Sequence, residues 1–363
     1  MQTTGSGPID RGGNRCATAR VDPAMTSTAV TDAAGANWDE IHARHGRELL
    51  GYCYRMLGSP FDADDAVQET MLRAWRGIGR FAGKSSLRVW LFRIATNVCL
   101  DMLRQRGRRE HPVSVTPAGT ADSALGDPES SGVWVQPAPD RWLLPEHVDP
   151  ADAAVRRDFV RLAFITALQH LSPRQRAVLI LCDVLRWRAE EAAALLEITV
   201  AATNGLLRRA RQQLPIAASD SHGSVLTAEQ RELVRRYVEA FNRSDIDTLT
   251  SLLREDAALS MPPYTLWLHG RARIEQWFRR EPNPCRDART VAVEANGSPA
   301  FAIYHATGPG KPLRAFGIQI LTVCGSGIAA IDIYLEPDLF AVFDLPRELP
   351  PESAHTSASG NRE

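Results

Sequence analysis

Residues 62–75 read DADDAVQETMLRAW and residues 87–109 read LRVWLFRIATNVCLDMLRQRGRR, and the two runs decide how the N-terminal half folds. Asp62, Asp64, Asp65 and Glu69 put four acids and no base into eight residues at the head of an apolar-periodic run, where the helix dipole favours negative charge. Asp65 and Glu69 are spaced i,i+4 with Gln68 beside them, so they share a face. After a short glycine-bearing break, FAGKSS (81–86), the second run predicts another helix. Leu91, Ile94 or Ala95, Val98 and Met102 form its inward stripe. Arg93, Asn97, Asp101 and Arg104 form the opposite one, with Trp90 a turn above and four arginines within 104–109. An acidic face suits a basic protein partner, although a solvated helix start has the same composition. A face of aromatic, amide and guanidinium groups suits single-stranded nucleic acid, because rings stack on bases, amides read edges and arginines neutralise phosphate. Core packing is the competing reading of Trp90.

Upstream, Trp38, Ile41, Leu49, Tyr52, Cys53 and Met56 recur at helical spacing, and Gly58 and Pro60 end that helix. Residues 1–36 lack apolar periodicity and are expected to be disordered, with Met25 an alternative start. Downstream, residues 110–150 contain seven prolines, seven acids and a single arginine, Arg141, a composition that predicts an extended linker burying little. Helical periodicity resumes over 151–170, Ser172-Pro173 caps a further helix, and AEEAAALLEITVAATNGLLRRARQQL (189–214) gives two helices around a tight turn near Glu197–Thr199. In the second of these, Thr203, Leu206 or Leu207, and Ala210 face inward. Ala201, Asn204 or Gly205, Arg208 and Arg211 face outward, a pattern suited to the major groove of duplex DNA. A second linker spans 215–225. From 226 the texture changes to helices at about 227–242, 245–253 and 271–279, then the strand-like runs RTVAVEA, AFAIYHA, LRAFGIQILTV and GIAAIDIYLE, an α+β pattern with an antiparallel sheet.

The 363 residues suffice for two or three domains, and the net charge of -1 conceals strong local asymmetry. Arginine outnumbers lysine 40 to 2, as a GC-rich genome would produce. The six cysteines form no CxxC pair, so neither a disulfide frame nor a zinc site is expected, and a reducing cytoplasm fits. No apolar run approaches the ~18 residues of a membrane span, and no signal-peptide core is present. No metal site or cofactor is expected.

The paired runs at 62–75 and 81–109 resemble region 2 of extracytoplasmic-function (ECF) sigma factors of bacterial RNA polymerase. The resemblance implies that Asp62, Asp65, Gln68 and Glu69 bind the polymerase β′ clamp. It also implies that Trp90, Arg93, Asn97, Arg104, Arg106, Arg108 and Arg109, with the Phe81–Ser86 loop, open and hold the promoter -10 element. The 189–211 pair is similar to sigma region 4.2, which implies -35 recognition by Thr199, Ala201, Asn204, Arg208, Arg209 and Arg211. Many members have glycine where this chain has Glu197, and Gly-Thr where it has Ala201-Ala202, so the -35 preference does not carry over. In the family the linker threads the polymerase cleft, a route that seven acids suit as well as an inert spacer would.

Residues 237–278 with the strands after them resemble the SnoaL-like branch of the NTF2-like fold, a sheet wrapped on helices into a cone. Some actinobacterial ECF sigma factors carry such a domain. The expected fold is therefore multidomain, with two all-α domains followed by an α+β NTF2-like cone. The expected parts are a disordered N-terminus (1–36), region 2 (37–109), an acidic proline-rich linker (110–150), region 4 (151–214), a short linker (215–225), the cone (226–347) and a disordered tail (348–363). Candidate pocket residues are Met261, Tyr264, Trp267, His269, Trp277, Tyr304, Gln319 and Asp332. An Asp332–His269 acid/base pair is conceivable, but nothing specifies a nucleophile, and no catalysis is expected. The expected partners are core RNA polymerase, through its β′ clamp and β subunits, and promoter DNA, with no membrane. The C-terminal domain would bind a small molecule or act purely within the chain. Two other classes compete. One is a one-component helix-turn-helix regulator with a sensing C-terminal domain, which leaves 38–109 unexplained; the other is a SnoaL-type enzyme fused to a degenerate DNA-binding region.

Overall fold

Three helices build the first body of the chain, which is described by a computed structural model over residues 37–81, 83, 85–130, 132–144, 158–214, 226–281, 288–308 and 310–351. The expectations for residues 1–36, 145–157, 215–225 and 352–363 lie outside the described residues. Helix α1 (Trp38–Leu57) begins at Asn37, whose side chain accepts from the Glu40 amide, and ends at Gly58, which takes the left-handed conformation (φ 71°) that favours glycine. Ser59 caps α2 (Pro60–Gly77), and Ser86 caps α3 (Leu87–Gln105). Leu49, Tyr52, Cys53 and Met56 of α1 share a core with Leu91, Phe92, Ala95 and Cys99 of α3, all fully buried. Within it the Tyr52 and Thr96 hydroxyls hydrogen-bond at 2.8 Å.

The described part of the 110–150 segment corrects the expectation that it buries little. It carries two short helices, α4 (Pro112–Val115) and α5 (Asp140–Leu143). Between them Trp134, Val135, Gln136 and Ala138 are buried. The Gln136 amide donates to the Gly58 carbonyl at 2.9 Å, and the Trp134 indole donates to the Pro263 carbonyl at 2.8 Å. Counting prolines and acids misses the few apolar side chains here, which pack with α1–α3 on one side and reach the C-terminal body on the other.

The second body contains α6 (Leu162–Gln169), α7 (Pro173–Leu179), a wide turn (Ile180–Val184), α8 (Ala189–Leu196) and α9 (Val200–Gln213). Ser172 and Gln175 form a reciprocal capping box at α7, and Thr199 caps α9. Buried Arg176 docks this body on the first by donating to the Met56 carbonyl.

The C-terminal body starts with α10 (Ala228–Asn242) and α11 (Ile246–Ser251), and α12 (Arg271–Phe278) follows its first two strands. Its strands are β1 (Leu253–Ser260), β2 (Trp267–His269), β3 (Ala288–Ala295), β4 (Ser298–Ala306), β5 (Leu313–Cys324), β6 (Gly327–Tyr334) and β7 (Glu348–Leu349). A four-residue helix, α13 (Leu339–Val342), precedes β7. The sheet order is β2-β1-β6-β5-β4-β3, with β7 on β5. The sheet is mixed rather than antiparallel, because β1 runs parallel to β6. Strand alternation divides its side chains between two faces. Phe301, Ile303, Leu321, Ile331 and Ile333 join the core of α10–α12, whereas Ala302, Tyr304, Ile318, Ile320 and Tyr334 join the core of the first two bodies. One face of the sheet therefore shares a core with the first two bodies, and the other face has a separate core with α10–α12. Among the described residues, no helix is long and apolar enough to cross a membrane.

Candidate functional site

The acidic face of α2 is only partly assembled as the sequence implies. Asp65 and Gln68 are exposed and Glu69 is half-buried; Gln68 donates to Asp64 at 2.7 Å, and Glu69 pairs with Arg73 at 2.6 Å. One and two turns further on the same side, Leu72 and Trp75 are 39% and 49% exposed, large apolar groups the sequence reading passed over. Asp62 departs from this set. It is buried at the start of α2, and its carboxylate is held by Arg106 and, at 2.5 Å, by Arg109.

Those contacts also involve the basic tail. Arg109 is buried and donates to the Trp134 carbonyl at 2.9 Å as well as to Asp62. Burial pulls its pKa down to about 10, opposed by the charge of Glu336, so it stays a cation at neutral pH. Arg108 pairs with Glu110, and Arg104 with Asp101 at 2.8 Å. Two residues assigned to DNA, Arg106 and Arg109, and one assigned to polymerase, Asp62, thus neutralise each other. Proximity in the fold was hidden by 44 to 47 positions of sequence separation.

On α3, Asn97 is exposed, and half-buried Trp90 packs on Phe81 with ring centroids 5.0 Å apart. Arg93 faces the second body, where one nitrogen donates to the Ala194 carbonyl at 3.0 Å and another lies 3.8 Å from the Glu197 carboxylate. Glu197 is the left-handed turn residue (φ 55°) between α8 and α9. Arg88, not singled out from sequence, pairs with Glu48 and lies 4.6 Å over the Trp187 ring, joining α1, α3 and the second body. On α9, Ala201, Asn204, Arg208 and Arg209 are exposed, Thr199 serves as the cap, and Arg211 makes a two-pronged pair with Asp183 at 2.6 and 3.0 Å.

The C-terminal candidates divide between the two faces of the sheet. Met261, Tyr264 and Trp277 line a cavity of about 360 Å³ on the helix face. Gln319 lies deeper on that face, hydrogen-bonded to Tyr237. Tyr304 instead joins the shared core and donates to the Pro346 carbonyl at 2.9 Å. Trp267 donates to the Thr116 carbonyl at 2.7 Å. The Asp332–His269 pair does not form. Asp332 on β6 is separated from β2 by β1, and His269 is exposed and registers two residues away, opposite Ala258. Asp332 bonds the Ser260 hydroxyl at 2.6 Å and lies 3.2 Å from the imidazole of His111. Burial alone would raise its pKa, but the His111 charge and hydrogen bond, with the Ser260 hydroxyl, hold it below the usual carboxylate range.

Asn296 is the residue at this junction that the sequence reading missed. With Gly297 it forms the two-residue β3–β4 turn, both at positive φ (51° and 64°). Fully buried, its side chain accepts from the Ala138 amide at 2.9 Å and donates to the Val160 carbonyl at 2.7 Å and the Tyr54 hydroxyl at 3.1 Å. One hairpin tip thereby touches the linker, the second body and α1. The Asn-Gly dipeptide between two strand runs signals the hairpin, but nothing in it signals the three partners.

Three family models match the chain: Sigma-70 region 2 over residues 41–109, Sigma-70 region 4 over 161–214 and a SnoaL-like domain over 234–331. The chain is 41% identical over 309 residues to the ECF RNA polymerase sigma factor SigG of Mycobacterium tuberculosis, covering 84% of this chain and 82% of that one. It is 30% identical over 195 residues to the ECF RNA polymerase sigma factor SigE of Mycolicibacterium smegmatis, covering 52% and 66%. Its fold is similar to the crystal structure of the Mycobacterium tuberculosis extracytoplasmic function sigma factor SigJ, with a TM-score of 0.53 and 24% identity over 85% of this chain and 99% of that one.

Proposed function

The chain belongs to the ECF RNA polymerase sigma factors, and from that membership we propose how its three bodies divide the work. As a sigma factor it binds core RNA polymerase and promoter DNA and directs transcription initiation; it is not an enzyme. The exposed α2 face around Asp65, Gln68 and Glu69 docks on the β′ clamp, and Leu72 and Trp75 supply the apolar contact such a face needs. Trp90, Arg93 and Asn97 of α3 act on the -10 element, and α9 reads the -35 element through Asn204, Arg208 and Arg209, with region 4 held by the β subunit. The work is done in the cytoplasm, where the polymerase acts. A one-component regulator is not favoured, because residues 41–109 match region 2.

The C-terminal domain acts in cis by stabilising a closed arrangement in which these surfaces are engaged internally. The observation that carries this reading is the Asp62–Arg109–Trp134 chain, in which a linker segment seated on the C-terminal domain covers the cation that occupies a polymerase-binding acid. Run-off transcription with core polymerase, comparing the full chain with a chain ended at Leu214, tests it. The shortened chain is expected to bind core polymerase more tightly and to change transcript output. Equal affinity and equal output would remove the C-terminal domain from control.

A further inference from the structure

The helix-face cavity is walled by Met261, Tyr264, Trp277, Phe316 and Ile333, and by one residue from far outside the domain, Leu125 of the linker. Its volume, about 360 Å³, falls at the small end of ligand pockets, which run from roughly 300 to 1,000 Å³. No charged side chain lines it, so an ion entering would lose hydration without gaining a counter-charge. Two polar atoms nearby are buried and have no hydrogen-bond partner among the described residues: Oε1 of Gln319, on the same sheet face, and Nε2 of His305, whose ring stacks on Phe316 with centroids 3.8 Å apart. Burial lowers the His305 pKa to about 4, so its imidazole is neutral at physiological pH. Such a space, lined without a charged group, matches an uncharged apolar molecule.

Leu125 belongs to a strap formed by residues 116–130, laced onto the loop that ends at β2. Thr116 donates to the Thr265 carbonyl at 3.0 Å, the Gly119 amide to the Trp267 carbonyl at 2.8 Å and the Glu129 amide to the Pro263 carbonyl at 3.0 Å. Arg280, just after α12, reaches back to the Ser123 carbonyl at 3.0 Å. The approach is close: a Cβ on Gly119 would stand 2.4 Å from Leu266 Cδ1. We propose that the cavity is a binding site for a small uncharged apolar ligand and that the strap is its door, Leu125 leaving the wall when a ligand larger than the present space enters. A ligand then favours the unlaced strap by its difference in affinity for the two states, and unlacing loosens Trp134 further along the linker, whose carbonyl accepts from Arg109. The proposal deepens the reading of the C-terminal domain as a cis-acting element and rests on it for any effect on transcription.

The test uses the full chain and N-phenyl-1-naphthylamine, an uncharged apolar dye that brightens on leaving water. The dye is expected to bind the full chain, Leu125→Ala to bind it roughly tenfold more tightly, and Met261→Trp, which fills the space, to lose binding. Saturating dye is expected to speed hydrogen exchange at the Gly119 and Glu129 amides. If Met261→Trp fails to melt cooperatively, the Leu125→Ala and exchange measurements decide alone. No binding by either the full chain or Leu125→Ala overturns the site; binding that Leu125→Ala leaves unchanged, with exchange unaltered, overturns the door. Either failure, alongside an altered transcript output on truncation, leaves the cis-acting reading standing.

Discussion

At the scale of single residues, Asn296 does the most with the fewest atoms. Its backbone angle suits asparagine or glycine, so Asn296→Gly keeps the turn and removes only the side chain. That change strands the buried Ala138 amide and Val160 carbonyl. Each unsatisfied group costs about 1–3 kcal/mol, so a loss of roughly 2–6 kcal/mol is expected from urea unfolding. The transition should also split as the C-terminal domain uncouples; a single transition weakened by less than about 1 kcal/mol would show that the junction does not depend on this residue. Neither Asn296 nor Arg88 was legible in the sequence as a junction residue. A hydrogen bond between groups 242 positions apart, such as Asn296 to Tyr54, leaves no local pattern. The exposed set on α9 was legible, because helical periodicity alone fixes which residues turn outward.

Among the elements, the turn between α8 and α9 joins backbone strain to an interdomain contact. A left-handed non-glycine residue costs roughly 1–2 kcal/mol, and glycine there costs about 0.5–1 kcal/mol in unfolded-chain entropy. The Glu197–Arg93 pair is exposed and contributes little against this. Glu197→Gly should therefore stabilise the chain by roughly 0.5–1 kcal/mol in thermal melts while removing the acid beside Arg93, which keeps its bond to the Ala194 carbonyl, read as tighter binding of a single-stranded -10 oligonucleotide. A destabilised variant with unchanged DNA binding would refute both parts. The helices of both sigma regions were legible because caps, periodicity and breakers agree over long runs. Strand β1 was not, since LREDAALS carries helix-forming residues, and its place in the sheet comes from pairing with β6 about 70 positions later.

Across the whole molecule, the closed arrangement has its own pH dependence. Glu336 accepts from Gln136 at 2.5 Å, and its other carboxylate oxygen is buried without a hydrogen-bond partner among the described residues. Burial raises its pKa despite Gln136 and the nearby Arg109 charge. A carboxyl group raised in the folded state opposes folding once it ionises. Stability should therefore fall as pH rises from the ordinary glutamate value of about 4.3 through the raised one. Glu336→Gln keeps an acceptor for Gln136 without the charge. It should stabilise the chain at pH 7, with the gain fading below about pH 4.3; a gain independent of pH would exclude ionisation as the cause. The division into three bodies could be read from texture changes along the chain. Their fusion could not, because the apolar residues that join them are scattered singly through a stretch dominated by proline and acid. One consequence concerns how the linker can change in length. Loops ordinarily absorb insertions and deletions, but this one is fastened at Thr116 and again at Trp134 to the same few residues, Pro263–Trp267. The stretch between those fastenings acts as a ruler, and adding or removing a residue there would shift either Leu125 or Trp134 out of its seat.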